Sequence, residues 1–302
     1  MATYNFKKQA EVYLFHDNKR YRLDVTEDLS FSQTFTDKTY PQKTLHAQYK
    51  VHDASCIKKA NPANFQFTVP MITEDSLDTI FDLLVNYKTG TYTLDTFDLY
   101  IKLPNDIYKL EKCVITNGTF IIEKLENLKL AISGEASRLT RGNSSFTSFS
   151  GGTRTPHYMK DLSVFMSTTN LTEGVFSVAV ELQNNIEWTP YETVNKALNI
   201  GNTHNVNTTM YPSKFTLNKR TLSGSISQYV TSDFNSDLLQ WKKGVNILIK
   251  AGTASGSFKG FKFDLSQCTF TNRITPAEVY AQTYDWRMND NPADLGTKIT
   301  LT

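Results

Sequence analysis

The sequence predicts a mainly β protein of two tandem domains, each a β-sandwich or barrel with one flanking α-helix and a long inter-strand loop. Three observations predict it. Apolar residues alternate with polar ones in many short segments, which is the period of a half-buried strand. One segment in each half carries apolar residues at helical spacing instead. Four short blocks of sequence also recur in the same order, and 302 residues exceed the roughly 100–150 of a typical single domain.

The recurring blocks set the domain organisation. Asp28–Ser32 matches Asn185–Thr189, Pro62–Phe67 matches Pro212–Leu217, Asp98–Lys102 matches Asn246–Lys250, and Cys113–Asn117 matches Cys268–Asn272. The offsets are 185 − 28 = 157, 212 − 62 = 150, 246 − 98 = 148 and 268 − 113 = 155. Nearly constant spacing with small drift is what loop insertions in a duplicated unit produce. Between the copies, residues 143–156 read NSSFTSFSGGTRTP, a Ser/Gly/Thr-rich linker composition. The reading is therefore copy one at 1–142, a linker at 143–156 and copy two at 157–302.

Within copy one, Val12 and Leu14, then Tyr21, Leu23 and Val25, alternate around Asp17-Asn18-Lys19, a hairpin signal. Val164 and Met166, then Phe176, Val178, Val180 and Leu182, repeat it around a turn at 170–174. Further strands are expected at Phe65–Val69, Leu99–Leu103, Lys109–Ile115 and Leu128–Ser133. Their counterparts are Phe215–Leu217, with an extension through Leu222–Val230, then Asn246–Lys250, Phe261–Cys268 and Val279–Tyr284. Leu77, Ile80, Phe81 and Leu84 make the helical stripe, with Thr73 as N-cap, acidic residues in the first turn and Gly90 beyond its end. A shorter helix is expected at Ser236–Lys243. Phe31 with Trp188, Phe65 with Phe215, and Cys113 with Cys268 occupy matched positions and are expected to pack as core residues.

A long polar segment follows the early strands of each copy, at Gln33–Ala60 and Pro190–Met210. Loops beyond about 12–15 residues are uncommon unless functional or disordered, and both copies carry one at the same place. These segments are read as interaction arms.

No constellation with catalytic chemistry emerges. His46, His52 and Cys56 form the only local His/Cys cluster, without a fourth ligand nearby to close a zinc site and without a counterpart in copy two. No phosphate-cradling glycine motif is present, and the carboxylates do not pair at repeated positions. Catalytic, cofactor and metal sites are accordingly expected to be absent. Net charge is +2, from 32 basic and 30 acidic residues, with no basic stripe of the kind a nucleic-acid binder shows. Three cysteines give no disulfide framework and fit reduced thiols. No signal peptide is legible and no stretch reaches the roughly 18–20 apolar residues of a membrane span, so membrane binding is not expected.

Several of these segments together resemble the tail tube proteins of long-tailed bacteriophages. They are Asn185-Ile-Glu-Trp188 after Asn184, Tyr211-Pro-Ser-Lys-Phe215, Leu222-Ser-Gly-Ser-Ile226 and Thr231-Ser-Asp233 before a short helix. Copy one contributes Asp28–Phe31, Pro62–Phe67 and the helix from Asp75, and the likeness is greatest to the two-domain siphophage type. The resemblance implies tail-tube-like domains whose sheets pair into a ring, and a non-enzymatic virion protein. It implies three chains per ring with pseudo-sixfold symmetry, and stacking into a conduit for genomic DNA during ejection. It also implies assembly in the bacterial host cytoplasm, with self, the tape measure protein, the tail terminator and baseplate proteins as partners. The long segments become inter-ring contact loops, with Thr39, Tyr40, Pro41, His46, Tyr49, Asn195, Asn199 and His204 as candidate contacts. Alternatives are a tube-initiator or baseplate ring protein, the tube of a contractile system, and a virion-associated carbohydrate-binding β-sandwich.

Overall fold

The structure, a computed structural model, describes residues 6–38, 41–45, 47–51, 57–70, 75–88, 93–123, 126, 128–142, 161–188, 210–230, 242–253, 258–276, 278–289, 295 and 298–301. The fold is mainly β. In the first part, β1 (Glu11–His16) and β2 (Lys19–Leu23) form a hairpin, followed by β3 (Glu27–Ser32), β4 (Phe35–Lys38), β5 (Pro41–Thr44), β6 (Ala47–Val51), β7 (Ile57–Ala60) and β8 (Ala63–Pro70). Helix α1 (Asp75–Val85) precedes β9 (Tyr87–Lys88), β10 (Thr93–Leu94), β11 (Phe97–Lys102), β12 (Ile107–Glu123), β13 (Lys129–Ala136) and β14 (Arg138–Gly142). The second part holds β15 (Asp161–Met166), β16 (Thr169–Asn170), β17 (Val175–Trp188), β18 (Phe215–Tyr229), β19 (Lys242–Thr253), β20 (Lys259–Thr275), β21 (Ala281–Met288) and β22 (Ile299–Leu301).

Sixteen of these strands join one antiparallel sheet. In the first part neighbours run β2-β1-β11-β12-β13-β8-β3, and in the second β16-β15-β19-β20-β21-β18-β17. The order of pairing is the same in both. Turn chemistry explains the hairpins. Asp17 (φ 47°) and Asn18 (φ 61°) are both left-handed, which matches the twist of a two-residue hairpin, and Ser167 (φ 54°) turns β15 into β16. A second shared device sits in the long strands. Lys112 (φ 53°) and Gln267 (φ 55°) are left-handed, each immediately before a cysteine, and the ladder to the preceding strand shifts register there. Such a bulge bends the strand and increases its twist. Cys113 and Cys268 lie just past these bends, both fully buried.

The core is one contiguous cluster spanning both parts. Along β11 every second residue (Phe97, Leu99, Ile101) is buried, as are Leu130 and Ile132 of β13 and Val178, Val180 and Leu182 of β17. Helix α1 lays Ile80, Phe81, Leu83, Leu84 and Val85 against this cluster, and its bounds agree with the apolar stripe. Its expected cap, Thr73, lies outside the described residues, as does Gly90.

The structure corrects the sequence reading in several places. The segment Gln33–Ala60 is not a plain loop. β4 pairs with β7 (Phe35↔Ala60 to Lys38↔Ile57), and β5 pairs with β6 beyond them. Its alternation is too polar to read as strands, because a two-stranded ribbon has no core of its own to demand apolar residues. Lys242 and Lys243, expected to end a helix, open β19, while 231–241 lie outside the described residues. β21 begins at Ala281 rather than Val279, which is 54% exposed in the preceding turn. The linker at 143–156 also falls outside the described residues.

The matched aromatics are corrected too. Phe65 is 3% exposed and Phe31, its cross-strand partner, packs on the core. Trp188 and Phe215 are also a cross-strand pair, with centroids 5.3 Å apart, but only partly buried at the far end of the β17–β18 ribbon. By strand pairing, the counterpart of Phe65 is Gly224. Phe65 lies opposite Gly134, and Gly224 lies opposite Trp286. The two parts therefore use the same device with ring and glycine exchanged between strands, a covariation that aligning like with like cannot find. A Cβ at Gly134 would run into the Phe65 ring and the Val114 carbonyl. Gly134→Ala should therefore lower stability by about 1–3 kcal/mol, the usual cost of overpacking. Urea unfolding of the variant beside wild type checks this.

Candidate assembly interfaces

The two parts meet at one strand joint. Asn117–Glu123 of β12 pair antiparallel with Gln183–Ser177 of β17, seven residues without a register shift. On the polar side, Asn117 Nδ2 and Gln183 Nε2 each donate to Glu181 Oε1 at 2.8 Å. On the core side, the Phe120 ring meets Phe261 edge-on at 4.7 Å and Phe263 at 5.1 Å, with Phe81 of α1 at 6.1 Å. Phe120 comes from the first part and Phe261 and Phe263 from the second, so the joint has its own aromatic centre.

A buried cation ties the joint to the helix. Arg220 of β18 is 8% exposed. Its Nη2 donates to the carbonyls of Leu84 (3.0 Å) and Val85 (2.8 Å), and its Nε to Asn184 Oδ1 (2.8 Å). Asn184, 2% exposed, in turn donates to the Ile115 carbonyl at 3.0 Å. Leu84 and Val85 are the last residues of α1, where carbonyls lack helical partners and the dipole is negative. The guanidinium satisfies both needs. Sequence reasoning missed Arg220, Asn184, Asn117 and Glu181. They sit among other polar residues in their strands, and only the fold shows which are enclosed.

The opposite face of the joint is polar and concave. A groove of about 570 Å³ crosses five strands, lined among others by Thr119, Glu181, Ser225, Thr271, Asp285 and Arg287. Most of its residues are small, and acid stands beside base: Arg273 Nη2 lies 4.0 Å from Asp285 Oδ2.

Several strands pair on one side only among the described residues, including β2 and β16 at the ends of the sheet path, and β3 and the end of β20 are two such edges. β3 pairs with β8 on one side only. β20 is flanked by β19 as far as Phe270, and Thr271–Thr275 have only β21 beside them. Large apolar side chains are exposed around the second edge: Ile274 (48%), Val279 (54%), Tyr280 (58%) and Tyr229 (45%). Phe35, just past the first, is 47% exposed.

The predicted contact residues are placed unevenly. Pro41 lies in β5 and Tyr49 in β6, so the ribbon brings their backbones together, while Thr39, Tyr40, His46, Asn195, Asn199 and His204 lie outside the described residues. The bases of the two long segments do meet. Met210 and Tyr211 are buried with Ala60, Phe35 packs on Tyr211 at 6.5 Å, and Arg138 lies 4.9 Å over the Tyr211 ring. Burial pushes the Cys113 thiol well above its ordinary pKa, the opposite of an activated nucleophile. Among the described residues no three His, Cys, Asp or Glu side chains are grouped to hold a metal ion, and no helix is long and apolar enough to cross a membrane.

This geometry defines a class: a mainly β protein whose two parts are joined strand to strand and whose sheet has open edges among the described residues. The chain belongs to the bacteriophage baseplate tube protein family, whose sequence model matches residues 2–298. A search of curated proteins finds no match. Membership makes it a virion structural component with a tail tube or baseplate role, built by self-assembly with other tail proteins.

Proposed function

We propose that copies of this chain join edge to edge into rings, three chains to a ring with pseudo-sixfold symmetry, and that the rings stack into a hollow tube through which double-stranded DNA passes. The observation that carries this reading is the joint between β12 and β17, set beside the open edges at β3 and β20. A soluble monomer normally covers or disrupts such edges, whereas a closed ring removes them. A head-to-tail contact closes when its rotation divides a full turn, and six like domains give a closed ring. The concave polar face would line the passage. Mixed charge and small hydroxyls favour a channel that phosphates slide past, since clustered lysines and arginines would hold DNA tightly. The tape measure protein, tail terminator and baseplate proteins would meet the tube along its length and at its ends. Assembly would take place in the host cytoplasm, and the protein would act without catalysis or a cofactor. The two long segments, 33–60 and 190–210, would reach the ring above or below.

Electron microscopy of the purified protein tests this. Stacked rings or tubes are expected, and a population of monomers alone would overturn the reading and favour a separate binding module. Removing residues 39–54 is expected to leave the melting temperature within a few degrees of wild type, because β5 and β6 pair only with each other among the described residues, while ending stacking. Normal tubes from that truncation would refute the arm assignment. The family description favours a second reading, a single ring at the baseplate that starts the tube. It predicts rings that do not stack on themselves.

A further inference from the structure

The joint inside the chain has an unfilled counterpart. We infer that the open edge of β20 at Thr271–Thr275 receives β3 of a second copy, in the register that β12 and β17 use within one chain. This rests on the ring reading above and adds which strands meet and how they align.

The correspondence follows from the pairing itself. The bulges before Cys113 and Cys268 set β12 against β20 with an offset of 268 − 113 = 155. Phe31 pairs with Phe65, and Val180 pairs with Gly224, the counterpart of Phe65. β3 and β17 therefore correspond with an offset of 180 − 31 = 149. Within the chain Thr119 faces Glu181. β12 has a further bulge between Ile115 and Asn117 that β20 lacks, so beyond it the offset falls to 155 − 1 = 154. Carried over, 119 + 154 = 273 and 181 − 149 = 32 place Arg273 opposite Ser32 of the second copy, and 120 + 154 = 274 and 180 − 149 = 31 place Ile274 opposite its Phe31. The flanks agree. β12 carries β11 and then β17 along one side and β14 and then β13 along the other. Among the described residues β20 carries β19 and then an open stretch, with β22 and then β21 opposite. The vacancy is where the strand from the other half would lie. Apolar exposure supports a second copy as the occupant. Ile274, Val279 and Tyr280 lie at the β20 edge and the turn that follows it, whereas Phe120 and Ile122 of the corresponding β12 stretch are buried beside β17.

One element of the inner joint has no counterpart. Asn184 corresponds to position 184 − 149 = 35, where Phe35 stands exposed, so the Arg220–Asn184 tie is absent from the outer joint. The joint between copies is thus the same ladder without the buried polar latch, which suits a contact formed after folding.

The test mixes two single-cysteine variants, Ser32→Cys and Arg273→Cys, both at exposed positions. Directly opposed residues on neighbouring strands lie within disulfide reach, with Cα atoms about 4.5–5.5 Å apart. Under mild oxidation the mixture should give a disulfide-linked dimer on a non-reducing gel, and neither variant alone should. A Lys19→Cys partner for Arg273→Cys should give none. Wild-type rings in the microscope with no linked dimer from the mixture would refute this pairing and leave the ring reading standing. Absence of any wild-type multimer, together with no linked dimer, would refute both. As an independent check, Ile274→Glu should keep the wild-type melting temperature but shift sedimentation to the monomer, and unchanged multimers would count against the joint.

Discussion

Arg220→Ala is expected to lower the unfolding free energy by about 3–5 kcal/mol, among the largest effects of any single substitution in this chain. The side chain is enclosed and supplies hydrogen bonds to three acceptors: the Leu84 and Val85 carbonyls and Asn184 Oδ1. Truncation leaves all three without that donor in a place water reaches poorly, and each such loss costs roughly 1–3 kcal/mol. The negative end of α1 also loses a cation held on its last two carbonyls. Arg220→Lys keeps the charge but not the planar fork that spans two carbonyls and an amide, so it should recover only part of the loss. Chemical denaturation of the three proteins decides the matter. A loss under 1 kcal/mol for Arg220→Ala would show that water or a neighbouring group replaces the guanidinium.

Phe120→Ala is expected to cost about 3–5 kcal/mol, the range for removing a buried phenylalanine where the surroundings cannot collapse. Phe120 is fully buried between α1 and two phenylalanines of β20, and all three neighbours are themselves held by packing. The cavity opens beneath the β12–β17 ladder. Amide exchange at Ser177–Gln183 should therefore accelerate more than exchange in β15, which pairs with neither β12 nor β17. Equal acceleration everywhere would mean that the two parts unfold as a single unit and that Phe120 stabilises the whole chain without favouring the joint.

Both variants probe a place the sequence does not advertise. Asp17-Asn18 is legible as a hairpin because left-handed backbone limits the residue choice locally. The α1 stripe and the alternating strands are legible because one buried face imposes a period. The open edges are illegible for the complementary reason. An edge strand such as β3 or the end of β20 uses backbone groups for pairing, and every residue type carries those. The segment 33–60 reads as a loop because a two-stranded ribbon imposes no apolar pattern. Trp188 and Phe215 were matched to Phe31 and Phe65 on residue type, yet the ladder sets Gly224 and Trp286 against Phe65 and Gly134. What two packed strands conserve is combined volume, and the larger member can sit on either one.

By itself the sequence determined a mainly β chain with a recurring order of blocks, one strongly amphipathic helix, buried thiols at Cys113 and Cys268, and a tail-tube likeness that the family match bears out. Tertiary structure alone decided that β12 receives β17, that Arg220 closes the end of α1, and which edges are left over. The physical reason is the range of the interactions. Local periodicity and turn geometry are written into neighbouring residues, whereas the Arg220 contact to Val85 spans 135 positions and the register of a joint depends on bulges and packing that exist only once the strands have met.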